Sequence, residues 1–177
     1  MKITTSDLKT ERQWRSATGL DKERFYKLLE GFEKSYLADY GQPLAERLVK
    51  NKKGYCIHNE EELLLFTLIS LKSGLTYDLL GLMCGMDASN VQRNQEIGLR
   101  VLQQTLKLTG DLPKRNFLDL EEFEAYFSDT DTLIIDATEQ RIVRPSDLTE
   151  QKNHYSGKKK VHTLKSMIIS TATKIIK

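Results

Sequence analysis

Cysteine is scarce in this chain: 177 residues hold two, Cys56 and Cys84, which are far apart and fit no metal-ligand spacing. That excludes a disulfide framework and points to free thiols in a reducing cytoplasm. A zinc site drawn from Cys56, His58 and Cys84 is disfavoured. Long apolar runs are also lacking. The most apolar stretch, Leu63 to Leu71, is interrupted by Thr67 and Ser70 and falls short of a membrane span, so no membrane partner is expected. The segment leading to Trp14 has no apolar centre of the kind a secretory signal needs. What is present is globular: 39% hydrophobic and 29% charged residues argue against disorder, and the length suits one ordinary domain or two small ones.

The net charge of +2 conceals an asymmetry. Between Asp111 and Glu139 nine acids face two bases, and from Gln140 to Lys177 nine bases face two acids. A cation site beside a polyanion-binding surface has this distribution.

Residues 1–17 are polar and mixed, and are expected to be flexible. Asp21 then caps a helix whose apolar stripe is Phe25, Leu28, Leu29, Phe32 and Tyr36, reaching about Leu37. Gly41, Pro43 and 51–54 mark a connection made basic by Arg47, Lys50, Lys52 and Lys53. Asn59-Glu60-Glu61-Glu62 opens a second helix, Leu63 to about Lys72, apolar on most sides and therefore central. A shorter helix, Thr76 to about Cys84, is followed by the turn Gly85-Met86-Asp87 and a longer helix from Ala88 to about Leu106.

Helix, Gly-containing turn and helix is the helix-turn-helix arrangement, in which the first turns of the second helix enter the DNA major groove. Those turns carry Ser89, Asn90, Gln92, Arg93 and Asn94, with Val91 facing inward. Amides and arginine can make paired hydrogen bonds to adenine and guanine edges. An ordinary amphipathic hairpin with a solvated polar face is the competing reading.

After a boundary at 108–117, containing Gly110 and Pro113, a short helix with Leu120, Phe123, Tyr126 and Phe127 precedes Leu133-Ile134-Ile135-Asp136. The apolar run reads as a buried strand and Asp136 as the acid at its end. Ala137-Thr138-Glu139 reads as a tight reversal, Gln140 to Arg144 as the hairpin partner, Ser146 to Gly157 as a polar loop and Val161 to Thr171 as a third strand. A carboxylate at a rigid strand end suits Mg²⁺ or Mn²⁺, which prefer oxygen ligands. A turn-capping role is the plainer alternative for Asp136, and Glu139 reads as a hairpin residue.

Asp136-Ala137-Thr138-Glu139, Arg144-Pro145 and Tyr155-Ser156-Gly157-Lys158-Lys159-Lys160-Val161-His162-Thr163-Leu164-Lys165 together resemble the first catalytic segment of DDE-type insertion-sequence transposases. The resemblance is to the branch whose nuclease domain follows a small helix-turn-helix domain, and 76–106 is similar to the corresponding part of that branch. It implies a mainly α N-terminal domain at 18–107, a linker at 108–117, and at 118–177 an α+β segment comprising the first three strands of an incomplete ribonuclease-H-like fold. Asp136 would be the first of three acids that hold two divalent ions, Mg²⁺ or Mn²⁺. Lys158, Lys159, Lys160, His162 and Lys165 would contact DNA backbone, with contact to the active-site acids the other role open to His162 and a basic solvated loop the plainer alternative.

In the family the second and third acids lie on a later strand and helix, so the chain reads as the front part of a larger protein, either a first-frame product or a truncated remnant. Residues 1–107 are expected to fold alone, with the remainder marginal. The implied partners are double-stranded DNA at element ends and either a second copy or the full-length transposase, in the bacterial cytoplasm at the nucleoid. A non-catalytic DNA-binding regulator or inhibitor of transposition is the alternative function, followed by an interaction module without DNA affinity.

Overall fold

Leu63 to Ser70 are buried without a break in one helix, because that segment lacks the polar face a surface helix would carry. In the computed structural model, which describes residues 3–49, 55–114 and 116–171, this helix is α4, Glu60–Ser73. Asn59 caps it by accepting the Glu62 N–H at 2.8 Å, and Gly74 ends it in the left-handed conformation. The chain divides into two units, Met1–Leu112 and Pro113–Lys177.

In the first unit α4 is surrounded by α1 (Glu11–Thr18), α2 (Lys22–Tyr40) and α6 (Ala88–Thr109), while α3 (Leu44–Val49) and α5 (Tyr77–Cys84) complete the set. The helix α2 buries Phe25, Leu29, Phe32 and Tyr36, so its apolar stripe faces the core at the expected spacing. Two close approaches fix α6. A Cβ on Gly98 would stand 1.9 Å from Thr67 Oγ1 of α4, and one on Gly31 would stand 2.9 Å from Thr105 Cγ2. Both contacts are polar inside: Thr67 donates to the Leu63 carbonyl at 2.7 Å, and Thr105 donates to that of Val101 at 2.8 Å and meets the Ser35 hydroxyl at 3.0 Å. The buried hydroxyls are thereby satisfied within the helices.

Within the segment 1–17, expected to be flexible, residues 3–17 are structured. Thr10 and Gln13 form a capping box, Gly19 closes α1, and Trp14 is buried against Phe25 and Tyr26 with ring centroids 5.0 and 6.0 Å away. One large aromatic side chain supplies the burial that the polar sequence hid. The 41–54 connection also contains α3, where Arg47 lies 3.9 Å from the Tyr40 ring centroid and donates to Tyr36 Oη at 2.5 Å. Its guanidinium is thus engaged within the unit, while Lys50, Lys52 and Lys53 lie outside the described residues.

The second unit holds α7 (Leu120–Tyr126), β1 (Leu133–Arg141), α8 (Leu148–His154), β2 (Tyr155–Ser156) and β3 (Val161–Thr171), in an antiparallel sheet of order β1-β3-β2. Three expectations are corrected. The strand β1 runs straight through 137–139 and pairs with β3 from Leu133↔Thr171 to Arg141↔Thr163, so there is no reversal and no 140–144 hairpin partner. Ala137-Thr138-Glu139 contains no residue suited to the positive φ of a two-residue hairpin turn. The polar loop contains α8, capped by Asp147, which accepts the N–H groups of Thr149 and Glu150. Finally, the apolar run is not buried: Ile134, Ile135, Leu164, Met167 and Ile168 are all exposed. The sheet therefore consists of two long strands and a two-residue strand, and not three comparable strands. No described helix is long and apolar enough to cross a membrane.

Candidate nucleic-acid interface and the Asp136 strand

Helices α5 and α6 are joined by Gly85, Met86 and Asp87 and pack on one another. The turn is tight because Gly85 takes φ 75° and because the N–H groups of Gly85 and Met86 both reach the Gly81 carbonyl, at 2.8 and 3.0 Å. Gly81 is needed there: a Cβ would stand 2.4 Å from the Met86 carbonyl oxygen. Asp87 caps α6 by accepting the Asn90 N–H at 2.9 Å, and this hydrogen bond is the main cause holding its carboxyl below the ordinary range.

Val91 is fully buried, which turns Ser89, Asn90, Gln92 and Arg93 outward. Their exposed groups are partly ordered by one another: Asn90 Nδ2 donates to Asp87 at 2.5 Å, Arg93 Nη1 to Asn90 Oδ1 at 3.3 Å and Gln92 to Glu96 at 2.9 Å. Asn94 is placed differently. It is half-buried and donates to the Asn90 carbonyl at 2.8 Å, so it braces the helix start. Both thiols border this turn, Cys56 donating to the Gly85 carbonyl at 3.0 Å while burial pushes the Cys84 thiol upward.

In the second unit the strand alternation divides the expected site residues between two faces. Glu139 pairs with Lys165 on one face, and there its carboxylate accepts from Ser156 Oγ at 2.9 Å and lies 3.8 Å from Lys159 Nζ and 3.9 Å from Lys165 Nζ. Glu139, read from sequence as a hairpin residue, is thus the acceptor at the centre of a basic cluster. Lys160 occupies the turn into β3 with φ 55°, and Lys158 is exposed in the same turn.

Asp136 lies opposite Ile168 on the other face, exposed, with Oδ1 accepting the neighbouring Ala137 N–H at 2.8 Å. His162 shares that face but sits opposite Ile142, six residues farther along the strand, with the Ile142 N–H on its carbonyl. At about 3.4 Å per residue the two are roughly 20 Å apart. The structure therefore does not bring His162 to Asp136, because the straight course of β1 carries them apart.

Residues 135–177 match the family model described as DDE superfamily endonuclease. The matched segment begins one residue before Asp136 and contains most of β1 and all of α8, β2 and β3, while the first unit lies outside it. No curated protein and no solved structure matches the chain. Endonucleases of the DDE superfamily typically use divalent metals. Among the described residues, however, no three His, Cys, Asp or Glu side chains converge, and Asp136 contributes a single carboxylate. The side chain that sequence reasoning undervalued is Glu139; its three-residue offset from Asp136 was the available signal, since an odd offset on a strand reverses the face.

Proposed function

We propose that this chain is a transposase-type protein of an insertion sequence. Helices α5 and α6 act as a helix-turn-helix that recognises duplex DNA at the element ends, and β1 presents Asp136 as the first acid of a DDE strand-transfer nuclease with a ribonuclease-H-like fold. The observation that carries this reading is the family match, which covers the strand bearing Asp136 and the basic turn 158–160 together. The buried Val91 beside outward Asn90, Gln92 and Arg93 supports the duplex-binding half, because those side chains suit base edges in a major groove. Lys158, Lys160 and the Glu139 cluster suit phosphate contacts, which position DNA without reading its sequence. Self-association, or association with a longer transposase at the nucleoid, belongs to the same reading.

A second reading is favoured by the surroundings of the Asp136 carboxylate: among the described residues it accepts the N–H of its own neighbour Ala137, and no further acid converges on it. In it the chain is a non-catalytic regulator or inhibitor of transposition. Selection of duplexes from a random-sequence pool by the intact chain tests what both share: a preferred sequence should emerge, and Arg93→Ala should weaken binding to it by about 1–3 kcal/mol. Failure to enrich any sequence would remove both. Strand cleavage of the selected duplex with Mn²⁺, abolished by Asp136→Ala, decides for the nuclease. Binding unaffected by chelator and by Asp136→Ala, without cleavage, decides for the regulator.

A further inference from the structure

On the face of the sheet opposite Glu139 the second unit has a cavity of about 480 Å³, lined by Arg144, Leu148, Gln151, Lys152, Tyr155 and His162. Two permanent cations line it and no carboxylate does. The Arg144 guanidinium donates through both Nε, at 3.0 Å, and Nη2, at 2.7 Å, to the single oxygen Gln151 Oε1. A neutral amide thus orients the guanidinium without cancelling its charge, whereas Lys159 and Lys165 on the other face share Glu139. Tyr155 stands beside His162 with ring centroids 5.6 Å apart in an edge-to-face arrangement, and it leaves half of its surface exposed. Leu148 adds an apolar wall.

An oriented guanidinium and a lysine beside a half-exposed aromatic ring are what unpaired nucleic acid needs, since cations take the phosphate and the ring takes the base. The volume lies in the range of small-ligand sites. A base inside a duplex has no free face to offer, so the ring discriminates against paired DNA. We infer that this cavity binds one unpaired nucleotide of a DNA single strand, its base against Tyr155 and its phosphate on Arg144 and Lys152. The inference rests on reading residues 135–177 as a DNA-processing segment and adds a substrate form to it: DNA with a single-stranded portion.

The test uses the intact chain and a fluorescein-labelled short oligothymidine, followed by anisotropy at low salt. Tyr155→Ala should weaken binding by about five- to a hundredfold, and Tyr155→Phe should stay within about twofold because stacking is retained. Arg144→Ala should weaken binding and lower the slope of log affinity against log salt by about one. Circular dichroism of the two Tyr155 variants checks that the exposed position tolerates the change. Equal affinity for Tyr155→Ala and wild type would overturn the inference. So would displacement by thymidine monophosphate with no advantage for the strand, which would make this a free-nucleotide site. A wild-type chain that selects duplex DNA but ignores oligothymidine would overturn the cavity and leave the proposed function standing. A chain that binds neither would overturn both.

Discussion

Phe66 and Ile135 are both large apolar residues in regular structure, yet Phe66 is fully buried and Ile135 keeps 58% of its surface exposed. The contrast runs through their units. The first gathers apolar side chains from α1, α2, α4, α5 and α6 into one core, while the long β1–β3 ladder leaves apolar residues open on both faces. Backbone pairing alone satisfies N–H and C=O groups but removes little apolar surface from water, so it stabilises less than a packed core of equal length. The first unit encloses most of its large apolar side chains, whereas the second leaves its own at the surface.

The largest expected effect that sharpens this contrast comes from truncating the two side chains. Phe66→Ala should destabilise the first unit by about 3–5 kcal/mol, the usual cost of emptying a packed aromatic site. Ile135→Ala should change stability by less than about 0.5 kcal/mol. Denaturant unfolding of each variant, followed by Trp14 fluorescence for the first unit and amide exchange for β1, measures both. Comparable losses would mean that β1 is covered in solution and would break the comparison.

Gly98→Ala is a smaller intrusion. Its new methyl would meet Thr67, itself held by the Leu63 carbonyl, so α6 must move from α4 or the Thr67 rotamer must change. A loss of about 1–3 kcal/mol in the same unfolding experiment is expected. Restoration by Thr67→Ala in the double variant would identify the clash as the cause, and an undisturbed single variant would show that the helices cross less tightly than described.

The smallest effect is on acid stability. The Asn90 N–H lowers the Asp87 carboxyl in the first unit, and the Leu118 N–H, then Lys114, lower that of Glu122 in the second. A carboxyl lowered by folding contributes stability that is complete above its unfolded pKa and is lost as pH falls through its folded value, so both groups act on the acid side of the ordinary carboxylate range. Asp87→Asn keeps a capping side chain that does not titrate, so it should flatten the acid limb of the first unit alone, and Glu122→Gln that of the second. Unfolding midpoints between about pH 5 and pH 3 measure this. A change in the wrong unit would mean that the two do not unfold separately.

The helices were the most readable part of the sequence. Asp21 and Asn59 are identifiable as helix starts from sequence, and these two, like Asp87 and Asp119, accept the N–H three residues on. Capping and 3.6-residue periodicity are local, so they survive without knowledge of the tertiary fold. The helix α1 was lost because its apolar contribution is concentrated in Trp14, too few residues to make a stripe. The reversal expected at Ala137-Thr138-Glu139 does not occur, and Thr138 is a residue compatible with continuing a strand. The register of β1 with β3 was beyond sequence reading altogether. It depends on an α8 excursion hidden in a polar segment, and it decides which candidates meet: Glu139 joins Lys159 and Lys165, while Asp136 and His162 stay apart.

That register gives the strand face a length as well as a chemistry. Asp136 and the Tyr155–His162 pair share one side of the sheet, separated by six strand positions, or roughly 20 Å. The untwisted count matters less than its parity: adding or removing one residue between Ala137 and Arg141 would turn the carboxylate to the lysine side of the sheet, whereas two would keep its side and alter only the spacing. The strand is a ruler whose graduations come in pairs.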